Sequence, residues 1–273
     1  MPKFSIATLP DLSGKVALVT GGTNGLGEIS ARDMALKGAR VYITARSTSK
    51  ASATIARANE HLVGLRAKAK AKGRKASEEF GVTIPESQEK LDLHPLECDL
   101  TDLASVQSAA STFTSHEERL DILMNNAGVC AVDYALTKDG IEVQNATNLI
   151  AHYFLTMLLL PTLVRTSERS EYAPAHDGSG EKASVRIVFL SSLGHKLTPP
   201  RNVDFGTLEG INDEFADTKF AAFRRYAMSK TGCILLAREL SNLLRSPTHA
   251  SNKKAISVLC ADPGQSKTGL ASG

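Results

Sequence analysis

Apolar residues along this chain gather in short runs separated by longer stretches of mixed polarity. Six runs have the length and β-branched content of strands: "KVALVTGG", "ARVYITAR", "HPLECDL", "LDILMNNAG", "VRIVFLSS" and "AISVLCADPG". Helical spacing fills the intervals, in "GEISARDMALKG" closed by Gly38, from Asp102 to Glu118, from Gly140 to Arg165 and from Tyr226 to Leu244. Apolar runs without strict alternation predict strands buried on both faces. Strand and helix in alternation then predict an α/β fold: a doubly wound parallel sheet of about six strands with helices on both faces. Right-handed crossovers bring the strand C-terminal ends to one edge, where ligands bind in such sheets. No internal repeat or linker divides residues 1–273, so the chain reads as one domain.

Three segments interrupt the alternation: residues 57–92, residues 168–183, which take in most of "SERSEYAPAHDGSGEK", and "HKLTPPRNVDFGTLEGINDEFADTKF" after the fifth strand. Insertions at strand ends are common sites of binding loops. The most apolar stretch, "LIAHYFLTMLLLPTLV", contains His152 and Pro161 and falls short of the roughly 20 residues of a membrane span. It reads as a buried helix, and no transmembrane segment is expected.

Composition narrows the picture only a little. Hydrophobic residues make up 42% and charged residues 22%, with a net charge of +3, so no nucleic-acid partner is required. The run "LRAKAKAKGRK" collects Arg66, Lys68, Lys70, Lys72, Arg74 and Lys75 without an acid. It reads as an exposed helix in preference to a binding patch, because Lys and Ala are good helix formers. Cys98, Cys130, Cys233 and Cys260 show no metal spacing, so they read as buried thiols in a reducing compartment, no metal is expected, and the cytoplasm is the expected compartment.

The motifs carry more. "TGGTNGLG" lies between a strand and a helix, the context of a dinucleotide loop. Gly21 lets the chain turn off the strand, and Gly25 and Gly27 let the backbone approach a pyrophosphate at the helix N-terminus. The second strand ends at Arg46, where an acid would hold the ribose hydroxyls of NAD. A guanidinium fork suits a 2′-phosphate instead, and Lys50 one turn on adds charge, so NADP(H) is the expected cofactor. Asp99 closes the third strand and reads either as a partner for the adenine amino group or as part of a helix start with Thr101 and Asp102. Asn125, Asn126 and Gly128 suit a tight turn beside a ligand, or a turn alone. In "YAMSK", Tyr226 and Lys230 stand one helical turn apart. An ammonium there favours the phenolate and lowers the tyrosine pKa.

"TGGTNGLG", "CDL", "NNAG", "SS", "YAMSK" and "DPGQSKTGL" occur in the order and approximate spacing of the short-chain dehydrogenase/reductase family, which the chain resembles from about Leu12 to Leu270. "GIEVQNATNLIAHYFLTMLLLP", and "LGH" after the serines, are similar to the retinol-dehydrogenase-like branch. The resemblance implies a Rossmann fold and a catalytic set of Asn148, Ser192, Tyr226 and Lys230. Tyr226 is then the general acid or base, Ser192 (not Ser191) polarises the carbonyl, and Asn148 holds a water in a proton relay from Lys230. His195 is a lesser candidate for substrate contact. For the cofactor it implies Gly21, Thr23, Asn24, Gly25, Leu26, Gly27 and Arg46. It adds Asp99, Leu100, Asn126, Ala127 and Gly128, then Tyr226, Lys230, Pro263, Gly264 and Thr268. The implied function is NADP-dependent interconversion of a carbonyl and an alcohol by hydride transfer, with a small-molecule substrate and a homodimer as the expected partners. Residues after Gly264 are few beside the family pattern, so the last strand and the substrate lid are expected to be missing. A non-catalytic nucleotide-binding protein is the alternative.

Overall fold

The computed structural model describes residues 5–169, 185–197, 203–216, 219–245 and 256–264. The chain divides into two compact units, Met1–Glu97 and Cys98–Gly273.

The first unit runs β1 (Val16–Val19), α1 (Gly25–Leu36), β2 (Arg40–Ala45), α2 (Thr48–Ala71), α3 (Ala76–Phe80) and β3 (Leu93–Glu97). Its strands are parallel in the order β3-β2-β1, with Val19 opposite Ile43 and Ala45 opposite Glu97. β1 is buried throughout and β2 beyond Arg40, as two-sided burial requires. β3, last in that order, is fully buried only at Leu93 and Leu96, one on each face. It stops at Glu97, short of the "CDL" expected to close it.

The segment expected to interrupt the fold after residue 57 is largely helix. α2 spans 24 residues and buries Ala51, Ala58, Leu62, Leu65 and Ala69 along one face. Gly73 (φ +66°) ends the helix and Gly81 (φ +68°) ends α3, a backbone that glycine adopts without steric cost. The basic run is therefore helical as far as Ala71, but it does not lack acids in space. Lys72 and Arg74 both pair with Glu79, which holds that carboxyl below its ordinary range. Arg66 donates to the carbonyls of Gln88 and Pro85 at 2.8 and 2.7 Å. These side chains tie the residues after α3 to α2.

The second unit runs α4 (Leu103–His116), β4 (Ile122–Asn125), α5 (Val143–Asn145), one π-type turn (Ala146–Ile150), α6 (Ala151–Ser167), β5 (Val185–Leu190), α7 (Gly194–Leu197), α8 (Leu208–Ile211), α9 (Ala221–Arg245) and β6 (Ile256–Ala261). Its strands are parallel in the order β4-β5-β6. The two units carry the two halves of the 3-2-1-4-5-6 strand order of a doubly wound sheet. Asp102 caps α4 by accepting from the Ala104 amide at 2.9 Å.

One expectation is corrected here. The apolar stretch does not stop short of a membrane span, because α5, the π-type turn and α6 continue as one 25-residue helix over Val143–Ser167, with an 18-residue stretch of mean hydropathy 1.5. Length and composition alone permit a span. The polar content explains why the helix sits in the protein core: Asn145, Asn148, His152, Thr156 and Thr162 are all buried along it. His152 Nδ1 bonds the Asn148 carbonyl at 3.0 Å, and Asn125 Nδ2 donates to Thr156 Oγ1 at 3.0 Å. Hydrocarbon would leave such groups unsatisfied.

Burial pushes the His152 pKa down from its ordinary 6.5 to about 4. Between those values the unfolded chain binds more protons, so the stability contributed by neutral His152 is whole above 6.5 and is lost as the pH falls toward 4. Urea unfolding midpoints of the wild type are expected to drop between neutral pH and the range near 4. His152→Gln is expected to drop less over the same range, and parallel curves for the two proteins would contradict the assignment.

Candidate active site

The nucleotide-loop residues lie at the end of β1. Gly21 (φ +62°) and Gly25 (φ +53°) adopt left-handed backbone, and the Gly21 amide donates to Thr44 Oγ1 at 3.1 Å. Gly22, which sequence reasoning passed over within the same motif, has the tighter requirement. A Cβ there would lie 2.6 Å from Ile43 Cβ, so β1 and β2 close up only over glycine. Gly27 is buried at the start of α1. Asn24 is the N-cap of α1 but makes no side-chain cap hydrogen bond, so the first-turn amides of Leu26 and Gly27 receive no acceptor from it. That arrangement fits a phosphate, whose oxygens complete the orphan donors. The Thr23 carbonyl is braced by Thr54 Oγ1 and Arg57 Nη2, both at 3.4 Å. Arg57 in turn pairs with Glu28 at 2.9 Å. This brace had no motif to announce it.

Arg46 follows β2 and is exposed, as is Lys50 in the first turn of α2. Arg46 makes no hydrogen bond or ion pair among the described residues. Ser47, the N-cap of α2, gives no side-chain cap, so the start of α2 also presents amides beside two cations.

In the second unit, Asp99 is committed locally. Its Oδ1 accepts from Thr101 N at 2.9 Å and Thr101 Oγ1 at 2.8 Å, and its amide donates to Ser105 Oγ at 2.9 Å. This favours the turn-forming reading of Asp99. Leu100 is buried. After β4, Asn126, Ala127 and Gly128 are half-buried. A Cβ on Gly128 would lie 3.1 Å from Asn148 Oδ1 and 3.5 Å from Lys230 Nζ, so a bare backbone is what allows this turn against the lysine.

α9 and the end of β5 bring Ser192, Tyr226 and Lys230 together. Lys230 Nζ donates to the carbonyl of Leu190, the last residue of β5, at 2.8 Å. It lies 5.6 Å from the centroid of the Tyr226 ring. Ser192 hydrogen-bonds Tyr226 and accepts from the Gly194 amide at 3.1 Å. Ser191 instead donates to the Lys230 carbonyl at 3.0 Å. The two serines thus divide into one facing the tyrosine and one fastening α9 to β5. His195 is turned back onto the Ser192 carbonyl, with Nδ1 at 2.5 Å.

Two expectations change. Tyr226 is not lowered by Lys230: burial raises its pKa, and the bond from Ser192 opposes this only in part. Burial likewise lowers the Lys230 pKa. Desolvation outweighs the charge between the two groups because the ammonium is turned toward the Leu190 carbonyl. Asn148 does not offer a free amide. Its Nδ2 donates to Val129 O at 3.0 Å and Ser229 Oγ at 2.9 Å, and its Oδ1 accepts from Val129 N at 2.9 Å. Its main-chain carbonyl already meets His152 Nδ1 at 3.0 Å and Cys233 Sγ at 3.3 Å. Asn148 therefore anchors the turn after β4 to α9 through Ser229, a partner visible only as the fourth letter of "YAMSK". After β6, Gly264 (φ +71°) follows Pro263 and donates to Asp262 Oδ1 at 3.0 Å. Thr268 lies outside the described residues. No cluster of potential metal ligands occurs among the described residues.

The family pattern for short chain dehydrogenase matches residues 15–76 and 70–194. A short-chain dehydrogenase/reductase, drtF, of Aspergillus calidoustus is 38% identical over 262 residues, covering 96% of this chain and 70% of that protein. Retinol dehydrogenase 11 of Mus musculus is 33% identical over 234 residues, covering 86% of this chain and 58% of that protein. Across the first four curated relatives, this chain spans from 50% to 70% of their length. A crystal structure of an uncharacterized protein from Mycobacterium Paratuberculosis matches at TM-score 0.63 and 29% identity, covering 98% of this chain and 75% of that one. Proteins of the same fold were solved with NADP (RhlG of Pseudomonas aeruginosa, 23% identity, TM-score 0.58) and with NAD (Burkholderia phymatum, 18% identity, TM-score 0.59). With its Rossmann strand order, its glycine loop and this likeness over nearly all its length, the chain belongs to the short-chain dehydrogenase/reductase family of NAD(P)-binding oxidoreductases.

Proposed function

We propose that this chain reduces a carbonyl to an alcohol with NADPH, with Tyr226 as the proton donor. The observation that carries the reading is the meeting of Ser192, Tyr226 and Lys230 at the end of β5. A bound nicotinamide supplies the hydride. Everything else falls to side chains of the chain itself. Ser192 donates to the carbonyl oxygen and draws negative charge onto it. The Tyr226 hydroxyl transfers its proton to that oxygen. Burial raises its pKa and so favours the hydroxyl form, the one that carries the proton to be transferred. Lys230, fastened to the Leu190 carbonyl, holds α9 and with it Tyr226 against the end of β5. Asn148, through Ser229 and Val129, keeps the wall beside Lys230 in place.

Within the first unit, Gly21, Gly25 and the first turn of α1 suit a pyrophosphate, and exposed Arg46 and Lys50 suit a 2′-phosphate. Within the second, Gly128, Tyr226, Lys230, Pro263 and Gly264 suit a nicotinamide. The likeness to the retinol-dehydrogenase-like branch favours an apolar substrate.

Titration calorimetry is expected to find NADPH bound more tightly than NADH by over ~1.4 kcal/mol, a tenfold ratio. Arg46→Asp is expected to reverse that order, and an unchanged preference would contradict the assignment of Arg46. With NADPH and a panel of aldehydes, ketones and quinones, Tyr226→Phe is expected to lose turnover by about 10²-fold or more while still binding NADPH. Turnover equal to wild type in that variant would contradict the role of Tyr226.

A further inference from the structure

Among the described residues, two besides glycines hold left-handed backbone: Ala131 (φ +54°) and Phe215 (φ +51°). For an L-residue this conformation is unfavourable and persists only where the surroundings impose it. The two positions are far apart in sequence, yet one side chain holds the carbonyl beside each. Arg225 Nη2 donates to Val132 O at 3.0 Å, directly after Ala131. Arg225 Nη1 donates to Glu214 O at 2.9 Å, directly before Phe215.

The remaining contacts of Arg225 fix its own position. Its Nε meets Glu142 Oε1 at 3.2 Å, with the side chains 4% and 0% exposed. Its guanidinium carbon lies 5.4 Å from the Tyr134 ring centroid. Glu142 Oε2 accepts from the amides of Gln144 and Asn145 at the start of α5. Gln144 Oε1 then accepts from the Ala131 amide at 2.9 Å. Arg225 directly precedes Tyr226, and Cys130 directly precedes Ala131. The Cys130 thiol is near enough to Tyr226 and Lys230 to act on both electrostatically.

A buried ion pair is a weak source of stability, since apolar side chains often replace one at little cost. An apolar side chain cannot hold two carbonyls at set positions, and that is what the fork of Arg225 does. We propose that Arg225 is a positioning residue that clamps the turns at Ala131 and Phe215 into their strained shapes and so sets the substrate-side wall beside Tyr226. The proposal rests on the reading of Tyr226 given above, but its physical part can be tested without turnover.

Arg225→Lys keeps a cation opposite Glu142 and loses the reach to both carbonyls. Iodoacetamide labelling of Cys130, followed by peptide mass spectrometry with exposed Cys260 as internal reference, reports release of the turn. Labelling of Cys130 is expected to accelerate about tenfold in Arg225→Lys, with Cys260 unchanged. Adding Ala131→Gly, which takes positive φ at no steric cost, is expected to return Cys130 toward the wild-type rate and to rescue folding if the single variant is unstable. With NADPH and benzaldehyde, Arg225→Lys is expected to raise KM about tenfold while the Kd for NADPH stays within about twofold. Unchanged Cys130 labelling in a folded Arg225→Lys protein would overturn the clamp, as would failure of the glycine to rescue. Faster labelling with an unchanged KM would overturn the link to substrate. A wild type that labels as expected but turns over no carbonyl contradicts the proposed function and leaves the clamp standing.

Discussion

Lys230 carries an ammonium group into a place that water hardly reaches: the residue is 4% exposed. Leaving such a group without a partner costs more than most folds can absorb. Its bond to the Leu190 carbonyl, at 2.8 Å, is therefore a constraint on everything around it. It requires β5 to end where it does. It requires α9 to keep its register against that end, which the bond from Ser191 to the Lys230 carbonyl enforces. The turn after β4 passes beside it at Gly128, where a Cβ would crowd Asn148 Oδ1 at 3.1 Å.

Once Lys230 is fixed, Tyr226 one turn earlier is fixed with it. The same burial that lowers the lysine pKa raises that of the tyrosine. Burial thus favours the neutral form of each side chain, the hydroxyl of Tyr226 and the amine of Lys230. Ser192 stands against that hydroxyl, while Arg225, on the preceding residue, holds neighbouring backbone in shapes it would not adopt alone. Stability and chemistry thus draw on the same few polar bonds, as expected where a site stores strain.

The sheet and its helices were legible because two-sided burial leaves long apolar runs, as in "VALV" and "VYITA". The meeting of Ser192, Tyr226 and Lys230 was legible because Tyr226 and Lys230 stand at helical spacing within a motif, after a serine pair that follows a strand. Other features were hidden for physical reasons. The helix at Val143–Ser167 was legible as helical spacing from Gly140 to Arg165, but the burial of Asn145, Thr147 and Asn148 along it was not. The one acid that meets both Lys72 and Arg74, Glu79, lies past a glycine turn. The roles of Arg225 and Glu142 depend on pairing across many residues that no local pattern encodes. The direction of the Tyr226 pKa shift depends on how far burial outweighs a nearby charge, and spacing alone carries no measure of burial.

The central claim is that hydride and proton reach one carbonyl at this cluster. Single-turnover reduction of an accepted carbonyl with NADPH stereospecifically deuterated at nicotinamide C4 tests it most directly. The account predicts deuterium on the former carbonyl carbon from one face of the nicotinamide only, in wild type. Product without deuterium from either labelled face, or deuterium transferred equally well by a protein lacking the Tyr226 hydroxyl, would contradict it.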